Sequence, residues 1–157
     1  MTAARQQLVP QSQRSPAVLV VDDEVMVRMM VAQELRNAGF VVVETATPGE
    51  ALDVLASRGD IAVVFTDVCL RGPVDGIAFA RRLRSQSRDL KIVLTSGHLA
   101  AADAFDHDGF FPKPCNLPRL IEHMRTLVVR ENADSLDTLA GRAGPTVAIE
   151  SLASKGE

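Results

Sequence analysis

Short apolar runs and helix-spaced apolar positions take turns along the chain. Residues 17–21 (AVLVV), 40–44 (FVVVE), 61–66 (IAVVFT), 90–95 (LKIVLT) and 109–112 (GFFP) are short, rich in apolar residues and mostly without polar alternation. Such runs predict strands buried on both faces, which belong to parallel sheets covered by helices. Residues 25–38 carry Val27, Met30, Val31, Leu35 and Ala38 at helical spacing, and Gly39 follows as a C′ residue. Thr47, Pro48 and Glu50 read as N-cap, first helical residue and capping-box acid of a helix that reaches Ser57. Asp75 or Gly76 opens a third helix over 77–85, with Ile77, Phe79, Ala80 and Leu83 inward and Arg81, Arg82 and Arg84 on a solvated face. Residues 98–108 have room for a short fourth helix only. Asn116 caps a last one over 117–130, with Leu120, Ile121, Met124, Leu127 and Val128 inward.

Five strands alternating with five helices predict an α/β domain. Right-handed crossovers then give a doubly wound parallel sheet with helices on both faces. The globular part is expected over 17–130, between a flexible arm (1–16) and a loosely ordered tail (131–157). No internal repeat is present.

Composition narrows the function. The chain has 157 residues, enough for one domain with a real core, and 46% of them are hydrophobic. Trp and Tyr are absent and the net charge is −3, which argues against stacking platforms for single-stranded nucleic acid and against direct DNA or membrane binding. No apolar run approaches the roughly 20 residues of a membrane span, and residues 1–16 hold no apolar stretch of signal-peptide length. The chain is therefore expected in the cytoplasm, with Cys69 and Cys115 as reduced thiols. The histidines, His98, His107 and His123, are scattered without ligand spacing and read as surface residues.

The strand exits carry the chemistry. The first ends in Asp22 and Asp23, the third in Asp67, the fourth in Thr95 and Ser96, the fifth in Lys113. In open α/β sheets the site lies beyond the carboxyl ends of the strands. Three carboxylates gathered there repel one another unless a cation sits among them. Oxygen ligands without His or Cys favour Mg2+. A lysine and a hydroxyl facing the ion suit a tetrahedral anion, and an Asp carboxylate can itself attack phosphorus. Glu44 and Thr45, at the exit of the second strand, are set aside because an edge strand would hold them away from the centre.

The motifs LVVDDE, FTDV, LTSG and KP, in that order, resemble the receiver domain of two-component response regulators, over about residues 18–130. The resemblance implies a CheY-like, flavodoxin-like sheet of order 2-1-3-4-5. It implies Asp67 as phosphoacceptor, Asp23 as a direct Mg2+ ligand, Asp22 acting through water, and the Cys69 backbone carbonyl completing the coordination. Thr95 would be the switch hydroxyl, Lys113 the family's lysine beside the acceptor, and Phe110 the switch aromatic. The Lys113–Pro114 bond is expected to be cis. The implied partner is a histidine kinase or phosphotransfer protein that gives its phosphoryl group to Asp67. Phosphorylation would change the surface of the fourth and fifth elements, to control a partner protein, to form a homodimer, or to serve as a relay sink. Such a domain is a signalling module, not an enzyme acting on a separate substrate.

This sequence departs from the pattern. Arg71 stands where many receivers have proline, one more residue precedes Asp75–Gly76, and the interval from Thr95 to Lys113 is short. After Arg130 only 27 residues follow, so no fused output domain is expected. Cys69 and Cys115 fall on the same sheet edge with a strand between them, about 9–10 Å apart and beyond disulfide reach. Two other readings remain. A phosphatase of the haloacid dehalogenase type would need an acid where Cys69 stands. A pseudo-receiver would bind partners without accepting phosphate.

Overall fold

The computed structural model describes residues 16–98 and 106–140, with side chains as far as Val128. The strands are β1 (Ala17–Val21), β2 (Val41–Thr45), β3 (Ile61–Asp67), β4 (Lys91–Ser96) and β5 (Gly109–Pro112); the helices are α1 (Val25–Asn37), α2 (Pro48–Ser57), α3 (Gly76–Gln86) and α4 (Leu117–Ala140). All strand pairs are parallel and the order is β2-β1-β3-β4-β5, as expected. Residues 99–105 of the expected short helix, residues 1–15 of the arm and the tail beyond residue 140 fall outside the described residues.

Strand alternation sorts the core into two layers. Leu19, Val21, Val64, Ile92 and Leu94 pack with Ala51 of α2 and with Phe79, Ala80 and Leu83 of α3. Val18, Val20, Phe65 and Val93 pack with Val31 and Leu35 of α1 and with Leu120, Met124 and Leu127 of α4. β1 is wholly buried, which explains why its apolar run does not alternate.

The helix starts follow the sequence signals. Thr47 Oγ1 accepts from the Glu50 amide at 3.2 Å while Glu50 Oε2 accepts from the Ala46 amide at 2.8 Å. Asp75 Oδ1 caps the Ala78 amide at 2.7 Å and Asn116 Oδ1 the Arg119 amide at 3.1 Å. Gly39 has φ +96°, the left-handed value a C′ glycine supplies.

Several expectations are corrected. β2 and β4 each lie one residue later than their apolar runs suggest. α4 continues to Ala140, where a loose tail was expected from 131. Met30, expected inward, is exposed beside Val25, Met26 and Met29. Arg84 is not solvated: its guanidinium reaches Asp108 Oδ2 at 2.5 Å and the carbonyls of Arg88 and Leu90 at 3.1 and 3.2 Å, so it ties α3 to the ends of β4 and β5. His123 is not a surface residue either, since Nε2 lies 2.7 Å from the Asp108 carbonyl and its ring packs on Phe111. His107 is partly buried against Phe110. Among the described residues no helix is long and apolar enough to cross a membrane.

Candidate functional site

Parallel pairing brings distant parts of the chain to one edge of the sheet. Val21 pairs with Thr66, so Asp22 emerges beside Asp67, and Asp67 pairs with Thr95. Asp22 and Asp67 are buried, at 1% and 3% exposure. Lys113, just past β5, reaches over them. Its Nζ lies 2.8 Å from Asp67 Oδ2, 3.2 Å from Asp22 Oδ2 and 3.4 Å from Glu24 Oε1. The Lys113–Pro114 bond is cis, as expected.

Backbone donors fix the carboxylates. The Cys69 amide donates to Asp67 Oδ1 at 2.9 Å and the Glu24 amide to Asp22 Oδ1 at 2.8 Å. Arg28 of α1 donates to the Asp22 carbonyl at 2.6 Å. The loop after Asp67 turns back tightly: the Gly76 amide bonds the Val68 carbonyl at 3.0 Å, and a Cβ on Gly76 would run into the Asp67 carbonyl. Only glycine permits that approach.

Burial sets the electrostatics. Desolvation raises the Asp22 pKa, with the Glu24 amide and Lys113 offsetting part of the shift. Burial alone would lower the Lys113 pKa, but its bond to Asp67 and the charges of Asp22 and Asp67 outweigh that and raise it. Lys113 is thus a fixed cation among acids. Cys115 is pushed up to about 11 by burial, with Lys113 pulling weakly the other way, so its thiol is inert at neutral pH. Both cysteines are free.

One ammonium does not balance these acids. Asp22, Glu24 and Asp67 bring a carboxylate oxygen each to within 4.8 Å of one another. An all-oxygen donor set with surplus negative charge fits a hard divalent cation such as Mg2+. Asp23 is not in that group. Its Oδ2 is held by Arg71, with Nε at 3.2 Å and the Arg71 amide at 3.3 Å. Glu44 stays apart on β2, paired with Arg36 at 2.8 Å and Arg28 at 3.8 Å.

The profile of the response regulator receiver domain family matches residues 18–125. The chain belongs to the response regulator receiver family. It is 40% identical over 124 residues to the response regulator MprA of Mycobacterium sp. (strain KMS), a match that covers 74% of this chain and 52% of MprA. It is 32% identical over 126 residues to the sensor kinase CckA of Brucella abortus (strain 2308), over 75% of this chain and 13% of CckA. The chain thus spans about half the length of one curated relative and a small part of the other. Among solved structures, a response regulator receiver protein from Pseudomonas putida is similar at 27% identity and TM-score 0.67, with 72% of this chain and 98% of that chain covered. A CheY-like receiver domain from Methanospirillum hungatei JF-1 shares the fold at 20% identity and TM-score 0.68, covering 77% of this chain and 99% of that one.

The receiver fold corrects one pairing expected from sequence. Thr95 and Phe110 lie on opposite faces of the sheet. Phe110 packs in the α2–α3 layer beside its partner Leu94. Thr95, one residue past Leu94, points to the α1–α4 layer. There it lines a cleft of about 410 Å3 with Phe65, Val27 and Lys113, its Oγ1 buried without a hydrogen-bond partner. The hydroxyl on Phe110's face is Ser96. It is fully buried, its Oγ accepting from the His98 amide at 3.0 Å and lying 3.9 Å from Cys69 Sγ.

Glu24 and Arg28 escaped the sequence reading of this receiver. Glu24 was visible as a third consecutive acid. Ser96 was noted at the exit of the fourth strand, but the strand was ended one residue before it. Arg28 had no sequence signal, and Arg71 was noted only as a departure from the motif, because their partners are set by the tertiary fold.

Proposed function

We propose that this receiver accepts a phosphoryl group on Asp67 from a phosphohistidine of a histidine kinase or phosphotransfer protein. The observation that carries the reading is Asp67 itself: it is buried, anchored by the Cys69 amide on one oxygen and by Lys113 on the other. An Asp67 oxygen forms the new bond to phosphorus as the P–N bond breaks. The bonding pair stays on the donor imidazole, which takes up a proton from water. Lys113 is placed to follow the charge that moves onto the phosphoryl oxygens. Asp22, Glu24 and Asp67 are the side chains that would hold Mg2+, with the Cys69 carbonyl as backbone ligand and Asp23 as a further one. When bound, Mg2+ offsets negative charge on the transferring group.

Ser96, rather than Thr95, is the hydroxyl that would turn towards the phosphoryl group. Phe110 shares its face and would move into the space it leaves. That rearrangement would alter the surface at the ends of β4 and β5 for a protein partner, for a second copy of the chain, or for onward relay. The module would act in the cytoplasm as a signalling domain, without direct contact to nucleic acid.

The test is incubation with acetyl phosphate and Mg2+, followed by intact mass. Wild type is expected to gain one phosphoryl group and Asp67→Ala none. An adduct that persists in Asp67→Ala would remove Asp67 from the role.

A further inference from the structure

We propose that Arg71 is a resident counter-cation that competes with the divalent metal for Asp23 and so weakens metal loading of this receiver. The inference rests on the metal reading given above and adds to it a device peculiar to the loop after Asp67.

Two observations point to it independently. Arg71 grips Asp23 Oδ2 with both side chain and backbone, at 3.2 and 3.3 Å, across 48 residues of sequence. Asp23 is also the one acid of the run Asp22–Asp23–Glu24 whose oxygens stay outside the group gathered within 4.8 Å around Asp67. The loop conformation allows the reach. Gly72, next to Arg71, has φ +124°, a left-handed value that turns the chain immediately after the arginine.

The charges divide between two cations. Lys113 serves Asp22, Glu24 and Asp67, and Arg71 serves Asp23. A metal ion that recruits Asp23 must take it from the guanidinium and then sit near that positive charge. Removing the guanidinium lifts both penalties while the Arg71 amide still orients Asp23. The Arg71 side chain is 87% exposed, so water screens the pair and the effect is modest.

The experiment is a calorimetric titration of Mg2+ into wild type, Arg71→Ala and Arg82→Ala, at low and at high salt. Arg82 is an exposed arginine on α3 and removes the same charge elsewhere. Arg71→Ala is expected to bind Mg2+ about two- to five-fold more tightly at low salt, the range an exposed ion pair allows. Arg82→Ala should match wild type, and the Arg71→Ala gain should shrink at high salt. Equal or weaker binding by Arg71→Ala overturns the proposal, as does an equal gain in Arg82→Ala or a gain that salt leaves untouched. Wild type that binds no Mg2+ overturns the metal reading itself and this inference with it. Wild type that binds, without a gain in Arg71→Ala, overturns this inference alone.

Discussion

Burial of the Asp22 carboxylate weighs on stability. Desolvation raises its pKa above the ordinary 3.8. Between that value and the raised one the native state binds more protons than the unfolded chain, so this residue's contribution to stability falls as pH rises through the window. Asp22→Asn, studied in EDTA, should therefore melt several degrees above wild type at neutral pH. The gap should close as pH falls below the ordinary carboxylate value, as thermal unfolding across pH would reveal. The same variant should bind Mg2+ more weakly. A second pair of variants separates the two hydroxyls at the end of β4. Thr95→Val removes a buried Oγ1 that has no partner, so it should leave stability to thermal unfolding unchanged or raise it by up to about 1 kcal/mol. It should also preserve the phosphorylation-dependent shift of a fluorinated Phe110 in NMR. Ser96→Ala should lose most of that shift. The reverse pattern would return the role to Thr95.

At the scale of elements, the sequence was most legible where the signal is local. The caps at Thr47, Asp75 and Asn116 rest on bonds spanning three or four residues, and each formed where its side chain indicated. Boundaries were less legible, and in a strand an error of one residue reverses the face. Ending β4 at Thr95 thus put the expected switch hydroxyl on the face opposite Phe110. The length of α4 was missed for another reason: the glycines and the proline that suggested a loose tail all follow Ala140, whereas residues 131–140 contain none and include Glu131, Ala133, Leu136 and Leu139, which favour helix. The start of α3 supplies a test at this scale. Gly76→Ala would drive a Cβ into the Asp67 carbonyl. It should destabilise the fold by about 1–3 kcal/mol or more, as overpacking does, in urea unfolding. If Asp67 accepts the phosphoryl group as proposed, the substitution should also slow phosphorylation, because the strain falls on the Asp67 backbone.

At the scale of the whole molecule, periodicity and strand exits were enough to place Asp22, Asp67 and Lys113 on one edge, because a parallel sheet delivers every strand end to the same side. Long-range charge pairing was not legible. Periodicity says which face a side chain takes, not which partner it meets. Arg84 looked solvated yet joins Asp108 across 24 residues, and Arg71 meets Asp23 across 48. Glu24 stood in plain view but entered the site only once Lys113 was seen to reach it.

The central claim is that strand ends from distant parts of the chain meet at Asp67 to make one phosphoacceptor. Its most direct test is borohydride trapping after phosphorylation with acetyl phosphate and Mg2+, with the reduced residue mapped by peptide mass spectrometry. Reduction of an aspartyl phosphate leaves homoserine, and the account expects it at residue 67 and at no other acid. Homoserine at Asp22 or Asp23, or 2-amino-5-hydroxypentanoic acid at Glu24, with residue 67 unmodified would contradict it.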